Sequence, residues 1–227
     1  MKFIAVITAR KGSKGIKNKN VIKIHNIPLV EYTFKSASKS YVKNNCFVLT
    51  DSNKIKKIAK KYAIDTRYKR PLSTSKDKSS TISTLKHFSD WYLKNDDYDA
   101  MILLQPTSPL RNYIDINESI KIYKKKRVDS LFSISNHLEH PFDAINLKKK
   151  SKLEFVIKKR TKFFRRQDFN INSYFHNGAI FIISKNLINK NKLYNSSNHG
   201  FYFMPKIRSL ELDEKEDISI FNKLLKK

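Results

Sequence analysis

Residues 3–20 read FIAVITARKGSKGIKNKN, which is a hydrophobic, β-rich run followed by a basic loop with two glycines. Residues 3–9 form a continuous apolar run, which is typical of a central parallel strand covered on both faces. Arg10 and Lys11 interrupt the run at once and no small-residue cleavage site follows, so a buried strand is a better interpretation than a secretory signal. The run is also far shorter than the roughly 20 residues that span a bilayer, so no membrane segment is expected.

Strand and helix patterns alternate along the rest of the chain. Strands are predicted at 46–50, 65–68, 100–104, 128–135 and 178–184, and helices from Pro28, at 53–62, after Ser79 or Ser80, at 113–125 and at 215–226. This alternation predicts an α/β fold with an open, mostly parallel (mixed), Rossmann-like sheet flanked by helices. The length of 227 residues fits one domain over 1–227, and the irregular, basic and aromatic stretch 136–173 predicts a small lobe inserted in it.

The chain is strongly basic, because 47 Lys and Arg residues face 20 Asp and Glu residues and give a net charge of +27. The lysines are spread through nearly every segment, which favours a solvated basic surface over a dedicated nucleic-acid face. No helix-turn-helix, zinc or RNA-recognition motif occurs, so no specific nucleic-acid partner is expected. Arginine is scarcer and grips phosphate or carboxylate in a bidentate manner; the clustered candidates are Arg10, Arg70, Arg111, Arg165 and Arg166.

The single cysteine, Cys46, cannot form an internal disulfide and lies in an apolar run. These two observations predict an inert core residue and a reducing, cytoplasmic location.

The loop that follows the first strand, residues 10–20, contains two glycines, the hydroxyl of Ser13 and several cations. Glycines let backbone amides approach phosphate oxygens, and cations offset the charge of a triphosphate. The loop has neither the Walker nor the dinucleotide spacing. It is therefore a candidate phosphate cradle, with a basic surface turn as the alternative.

Ligands of open α/β sheets bind at the carboxyl ends of the strands, where Asp51 and the loop 105–111 are expected. In this loop, QPTSPLR, two prolines predict a rigid segment that presents Gln105 and Ser108. The alternative is an ordinary strand-to-helix turn that uses proline to end the strand.

Two carboxylates, Glu211 and Asp213, stand two residues apart in a stretch predicted to be extended. Both would then face one side while Leu210 and Leu212 face the core. Convergent carboxylates near phosphates are typical of a magnesium site. Asp217 lies near the start of the last helix, where a carboxylate is favoured structurally.

A fourth segment, 164–168 (FRRQD), is followed by Asn177 and Gly178. Adjacent arginines beside an amide are suited to bind the carboxylate of an acidic sugar. A solvated basic hairpin is the alternative.

Together these segments resemble the acylneuraminate cytidylyltransferases, or CMP-sialic acid synthetases. AVITARKGSKGIKNKN is similar to the nucleotide loop of that family, and LLQPTSPLR, FRRQ…NGAIFI and SLELDEKEDI follow in the family's order. The resemblance covers nearly the whole chain.

The resemblance implies transfer of CMP from CTP to an acidic nine-carbon sugar by a cytoplasmic homodimer, with 136–173 as the candidate dimerisation lobe. It implies Mg²⁺, or another divalent cation such as Mn²⁺, as the cofactor. The implied roles are catalysis by Arg10, Lys19 and Asp213, nucleotide binding by Arg10, Gly12, Ser13, Lys19, Asn20 and Arg70, sugar binding by Gln105, Arg165 and Asn177, and metal binding by Glu211 and Asp213.

The sequence departs from the family pattern at two positions. Glu211 stands where the family usually has Asp, which leaves its ligation direct, through water or absent, and Asp143 stands where Lys is frequent. Two other functions also stay open: a nucleotidyltransferase acting on a sugar phosphate or the molybdenum cofactor, and a basic nucleic-acid-binding protein.

Overall fold

The structure is a computed structural model that describes residues 1–12, 15–71, 74, 80–136, 139–148, 152–158, 165, 172–193 and 197–225. The strands of these residues are β1 (Phe3–Thr8), β2 (Lys23–Ile24), β3 (Ile27–Pro28), β4 (Cys46–Leu49), β5 (Ala100–Leu104), β6 (Ser130–Ser135), β7 (Ile145–Lys148), β8 (Lys152–Phe155), β9 (Phe175–Ser184) and β10 (His199–Phe203). Among the described residues, six strands form a central sheet in the order β10-β6-β9-β5-β1-β4, while β2–β3 and β7–β8 form separate hairpins.

The central sheet is mixed and mostly parallel, as the sequence predicts. Strands β4, β1 and β5 pair in parallel, and so do β6 and β10, whereas β9 runs antiparallel between β5 and β6. The first residues of β9 therefore lie beside the last residues of β6, as the pairing of Phe175 with Ser135 shows. The start of β9 thus shares the edge at which ligands of such sheets bind.

Helices cover both faces of this sheet: α1 (Leu29–Ser38), α2 (Asn53–Lys60), α3 (Thr81–Tyr92), α4 (Tyr113–Lys126), α5 (Lys185–Asn189) and α6 (Lys215–Leu224). Successive side chains of a strand point to opposite faces. Ala5 and Ile7 of β1 accordingly join the core beneath α1, α2 and α4, while Ile4 and Val6 join the core beneath α3 and α5. This double burial explains why the first strand is apolar at nearly every position.

Two local predictions are wrong. Residues 65–68 do not form a strand, and Asp65 makes only an isolated parallel bridge to Phe47. Residues 210–213 do not form a strand either. Instead, the Leu212 N–H donates to the Thr107 carbonyl at 2.8 Å, and the Leu212 side chain is buried in a third core cluster against which Leu210 packs.

Within the stretch 136–173, the described residues form a 3₁₀ turn (Pro141–Asp143) and the β7–β8 hairpin. This hairpin does not join the central sheet and exposes apolar side chains, namely Ile145, Leu147, Leu153 and Val156. In the part of the chain that the structure describes, no helix is both long and apolar enough to cross a bilayer.

Candidate active site

The backbone of the loop after β1 is held in place by hydrogen bonds to two side chains, those of Asn20 and Asp51. Asn20 is buried and its side-chain amide donates to the Arg10 carbonyl at 3.0 Å. Asp51, which follows β4, accepts the Lys11 N–H at 2.7 Å. Asn18 adopts a left-handed conformation (φ 58°), which starts the 3₁₀ turn Lys19–Val21. The loop is therefore held in place at the carboxyl ends of β1 and β4, where the sequence predicts a phosphate cradle.

The same loop contacts the carboxylate segment near the end of the chain. The Lys19 ammonium donates to the Leu212 carbonyl and pairs with Asp213 Oδ1, each at 2.9 Å. The side chain of Lys19 is 12% exposed and that of Asp213 is 66% exposed. The structure thus brings two predicted site residues, 194 positions apart in sequence, into direct contact at an accessible carboxylate.

Glu211 is anchored to the proline-rich loop. Thr107 Oγ1 donates to Glu211 Oε1 at 2.8 Å and also lies 3.4 Å from Gln105 Oε1. Burial raises the pKa of the Glu211 carboxyl, and the nearby Asp213 carboxylate acts in the same direction, whereas the hydrogen bond from Thr107 and the charge of Lys19 oppose it. Gln105, Glu211, Asp213 and Lys19 therefore belong to one connected group at the carboxyl edge of the sheet.

A β-bulge in β9 shapes the wall beside Glu211. The register of β9 against β6 shifts between Phe132 and Ile134, and Gly178 lies in the bulge with φ 68°. A Cβ at this glycine would lie 3.1 Å from Glu211 Oε2, so the absence of a side chain lets the carboxylate approach the backbone. Both the conformation and the space thus require glycine at this position.

Side chains take over the hydrogen bonds that the bulge removes from the ladder. Ser133 Oγ accepts the Ile180 N–H at 2.9 Å and donates to Asn177 Oδ1 at 2.5 Å. Asn177 Oδ1 also accepts the Ala179 N–H, and its Nδ2 donates to Ser209 Oγ at 2.9 Å. Asn177, predicted to face the sugar, is only 4% exposed and holds the bulge together while it lines the cavity beside it.

Arg111 supports the same wall, and the sequence analysis did not predict this structural role. Its guanidinium is 1% exposed and donates to the carbonyls of Gln105 (3.0 Å) and Ala179 (2.9 Å) and to Thr33 Oγ1 (2.7 Å). Burial lowers its pKa to about 10, so it stays protonated at neutral pH. Of the clustered arginines, this one therefore stabilises the protein rather than binding a ligand.

Arg70 lies on the other side of the loop after β1. It is partly buried, donates to the Thr74 carbonyl at 2.5 Å and interacts electrostatically with Arg10 and Asp51. Burial lowers its pKa. Its Nε is buried and has no hydrogen-bond partner among the described residues, as is also true of the Nε of Arg111.

Two cavities adjoin this edge. A smaller one of about 200 Å³ is lined mainly by the loop after β1 and the start of α2, including Arg10, Asn20 and Lys54. A larger one of about 470 Å³ lies beside Asn177 and Glu211. The two cavities share none of their described lining residues.

The remaining predicted residues are placed as follows. Gly12 is exposed in the loop after β1, and Ser13 and Arg166 lie outside the described residues. Arg165 is exposed and is not among the described residues that line the larger cavity. Asp217 accepts the Asp213 and Glu214 N–H groups at 2.8 Å, which agrees with its predicted structural role at the start of α6.

The two carboxylates, Glu211 and Asp213, suit Mg²⁺ better than a metal that needs three or more protein ligands. No cluster of three or more His, Cys, Asp or Glu residues suited to a metal occurs in the residues that the structure describes. Mg²⁺ does not need such a cage, because it is commonly bound by one or two carboxylates, water and substrate phosphates. Glu211 and Asp213 are two carboxylates close enough for the charge of Asp213 to raise the pKa of Glu211, and Asp213 is paired with Lys19.

An open α/β sheet with a cationic, glycine-containing loop near a carboxylate pair at its carboxyl edge is the arrangement expected of a nucleotidyltransferase. The loop is suited to phosphates and the pair to their counter-ion. The chain belongs to the cytidylyltransferase family, whose profile matches residues 4–224.

Relatives of known name support this family at the level of sequence. The chain is 34% identical to N-acylneuraminate cytidylyltransferase of Escherichia coli, over 96% of this chain and 51% of that protein. The enzyme of the same name from Streptococcus agalactiae is 33% identical over 96% and 52%. Post-translational flagellin modification protein B of Campylobacter coli is 28% identical over 99% and 95%. The chain thus spans about half the length of the first two relatives and nearly all of the third.

Solved structures support the fold. A CMP:2-keto-3-deoxy-manno-octonic acid synthetase in complex with CTP matches with a TM-score of 0.72 at 14% identity, over 99% of this chain and 98% of that one. A 4-diphosphocytidyl-2C-methyl-D-erythritol synthase from Anaerococcus prevotii matches with a TM-score of 0.67 at 13% identity, over 100% and 96%. The Rossmann-like sheet is therefore confirmed.

Proposed function

We propose that this chain transfers CMP from CTP to the anomeric hydroxyl of a sialic-acid-like sugar and releases pyrophosphate. The observation that carries the proposal is the contact of Lys19, from the phosphate loop, with Asp213, from the carboxylate pair. The contact supports the proposal because Lys19 belongs to the cationic loop after β1 and Asp213 is one of the two neighbouring carboxylates. The names of the relatives from Escherichia coli and Streptococcus agalactiae support the sugar class.

The proposed reaction is a direct in-line displacement. The anomeric oxygen forms a bond to the α-phosphorus of CTP, the bond from that phosphorus to the bridging oxygen breaks, and the hydroxyl proton is lost. Such transfers depend mainly on positioning and on stabilisation of charge, and they need no covalent nucleophile. In this proposal Arg10 and Lys19 stabilise the negative charge that develops on the leaving pyrophosphate.

The other predicted residues have matching roles. Gly12, Ser13, Asn20 and Arg70 would form the rest of the nucleotide site, Gln105, Asn177 and Arg165 would contact the sugar, and Glu211 and Asp213 would hold Mg²⁺ or Mn²⁺. When bound, the metal supplies positive charge to the phosphates. Thr107 is added to this set, because its hydroxyl orients Glu211.

We also propose a cytoplasmic location and a homodimer. Cys46 is buried and burial raises its pKa to about 12, which suits an inert thiol in a reducing compartment. The β7–β8 hairpin, in the lobe 136–173, supports the dimer because Leu147 and Leu153 are 74% and 61% exposed. A second copy of the chain would cover this apolar face.

The test is CTP-dependent release of pyrophosphate with N-acetylneuraminate, legionaminate and pseudaminate as acceptors. We expect turnover with at least one acid and none with a sugar 1-phosphate. The Asp213→Ala variant should lose about a hundredfold or more in turnover at saturating Mg²⁺, on the scale of other preorganised charge stabilisers. Asp90→Ala, which removes an exposed carboxylate of α3, is the matched control.

No release with any of the three acids would show that the proposed function is wrong. Wild-type turnover by Asp213→Ala would refute the metal assignment alone.

A further inference from the structure

The larger cavity, beside Asn177 and Glu211, has an unusual balance of charge for a site that binds an acid. Three carboxylates line it, those of Glu139, Glu211 and Asp217. Among the described lining residues, Lys206 is the only one with a permanent positive charge. His176 also lines the cavity, but burial lowers its pKa, so it is neutral at neutral pH.

Lys206 is presented by an anchored turn. It begins the 3₁₀ turn Lys206–Arg208, and its carbonyl accepts the Ser209 N–H at 3.0 Å. The Arg208 guanidinium donates to both oxygens of the fully buried Asp115, at 2.7 and 3.1 Å. Asp115 belongs to the capping box of α4, so the turn is tied to a helix of the core.

The ammonium of Lys206 itself is not engaged. The residue is exposed, and it makes no hydrogen bond or ion pair through its side chain within the described residues. This contrasts with Lys19, whose charge is already paired with Asp213. Lys206 therefore combines a fixed backbone with a cation that is available to a ligand.

We infer that the Lys206 ammonium binds the carboxylate of the acidic sugar, an inference that rests on the proposed function. A carboxylate entering a cavity lined by three others is repelled unless a cation lies within reach. The Lys206 ammonium has three donors for such a contact. Arg165, the cation that the sequence predicts for this role, is not among the described residues that line the cavity.

The test compares Lys206→Ala with wild type at saturating CTP. We expect the KM for the sugar acid to rise about tenfold or more, since a hydrogen bond to a charged group is lost, while the KM for CTP changes less than about twofold. Lys206→Arg keeps the charge and should restore the sugar KM to within about threefold of wild type. Lys94→Ala removes an exposed lysine from the turn after α3 and is the matched control.

A second arm uses a sugar whose carboxylate has been converted to the neutral carboxamide. Wild type should bind this analogue more weakly than the acid. Lys206→Ala should bind the acid and the amide about equally, because this variant has no ammonium to contact the carboxylate. A sugar KM for Lys206→Ala equal to that of Lys94→Ala, or an equal loss with acid and amide, would overturn the inference and leave the proposed function intact. Absence of turnover by wild type with every acid would overturn both.

Discussion

The bulge of β9 and the β7–β8 hairpin both depart from the regular pattern of the central sheet, but they differ in which groups they bury and which they expose. In the bulge, Asn177 is 4% exposed and the ladder groups that are set free are bonded by side chains of β6, β9 and the proline-rich loop. In the hairpin, Leu147 is 74% exposed and Val156 is 63% exposed. The first region hides its polar groups, and the second displays its apolar ones.

The difference shows which part of the molecule is complete within one chain. The bulge is braced within the chain, because the Ala179 N–H, the Ala179 carbonyl and the Ile180 N–H are all bonded by side chains of the described residues. A two-stranded hairpin alone is marginally stable in water and gains little from apolar side chains that face solvent. We therefore expect substitutions in the bulge to act on stability and catalysis, and those in the hairpin to act on association.

The largest effect is expected at Arg111. Arg111→Met removes the donor to the carbonyls of Gln105 and Ala179 and to Thr33, and leaves these groups buried without it. Each unsatisfied group costs about 1–3 kcal/mol, so the free energy of unfolding should fall by about 3 kcal/mol or more. Urea denaturation measures it. The exposed Arg127→Met serves as control and should change stability by less than about 0.5 kcal/mol; equal effects of the two variants would contradict the role of Arg111.

The next effect is expected at Gly178. Gly178→Ala places a Cβ 3.1 Å from Glu211 Oε2 at a positive φ, which strains the backbone by about 1–3 kcal/mol and displaces the carboxylate. Because small misplacements of such groups are costly, turnover should fall by about ten- to a hundredfold. Gly200→Ala is the control for added volume, since its Cβ would lie at the same 3.1 Å from Val128 Cγ2 and 3.4 Å from Leu131 Cδ1, and its φ is outside the left-handed region. Equal turnover by both variants would show that the bulge does not shape the site.

The sequence predicts most of the central sheet. It also predicts the lobe that contains the hairpin, but it does not predict the bulge of β9. The apolar run of β1 and the polar residues that follow β1 and β5 are local signals, and they place Lys19 and Gln105 at one edge. Asp213 contacts Lys19 at this edge although the strand predicted at 210–213 does not form. The strand β9, however, is predicted only from residue 178, although it begins at Phe175. The isolated Gly178 was the available signal for a bulge.

Arg111 shows what a pattern cannot reveal. In a chain with 47 basic residues, nothing local distinguishes a buried guanidinium from a surface one. Its partners, Thr33 and Ala179, are 78 and 68 positions away, so its role depends on tertiary contacts alone. For the same reason, the contact of Thr107 with Glu211, 104 positions apart, could not be predicted.

A smaller effect is expected in the hairpin. Leu147→Asp places a charge on the exposed apolar face and should weaken the proposed dimer by about tenfold or more, because the charge must be desolvated on association. The melting temperature of the isolated monomer should not change. Sedimentation equilibrium measures the dissociation constant, with Ile114→Asp, at an exposed apolar residue outside the lobe, as control. An unchanged constant, or a wild-type chain that sediments only as monomer, would remove the hairpin from the interface.

The smallest effect is expected at Glu211, a carboxyl of the bulge wall whose charged form is disfavoured by burial. Its pKa is raised above the usual 4.5, chiefly by burial, so the stability linked to its protonation is complete below that pH and is lost as the pH rises through the folded-state pKa. Glu211→Gln should therefore melt at a slightly higher temperature than wild type at pH 7 without metal, with the difference vanishing in acid, while turnover falls. Thermal melts across pH measure this, and Glu216→Gln, at an exposed carboxylate of α6, should show no gain. A melting temperature for Glu211→Gln below that of wild type at pH 7 would contradict this prediction. It would mean that the hydrogen bond from Thr107 and the charge of Lys19 outweigh the cost of burying the Glu211 carboxylate.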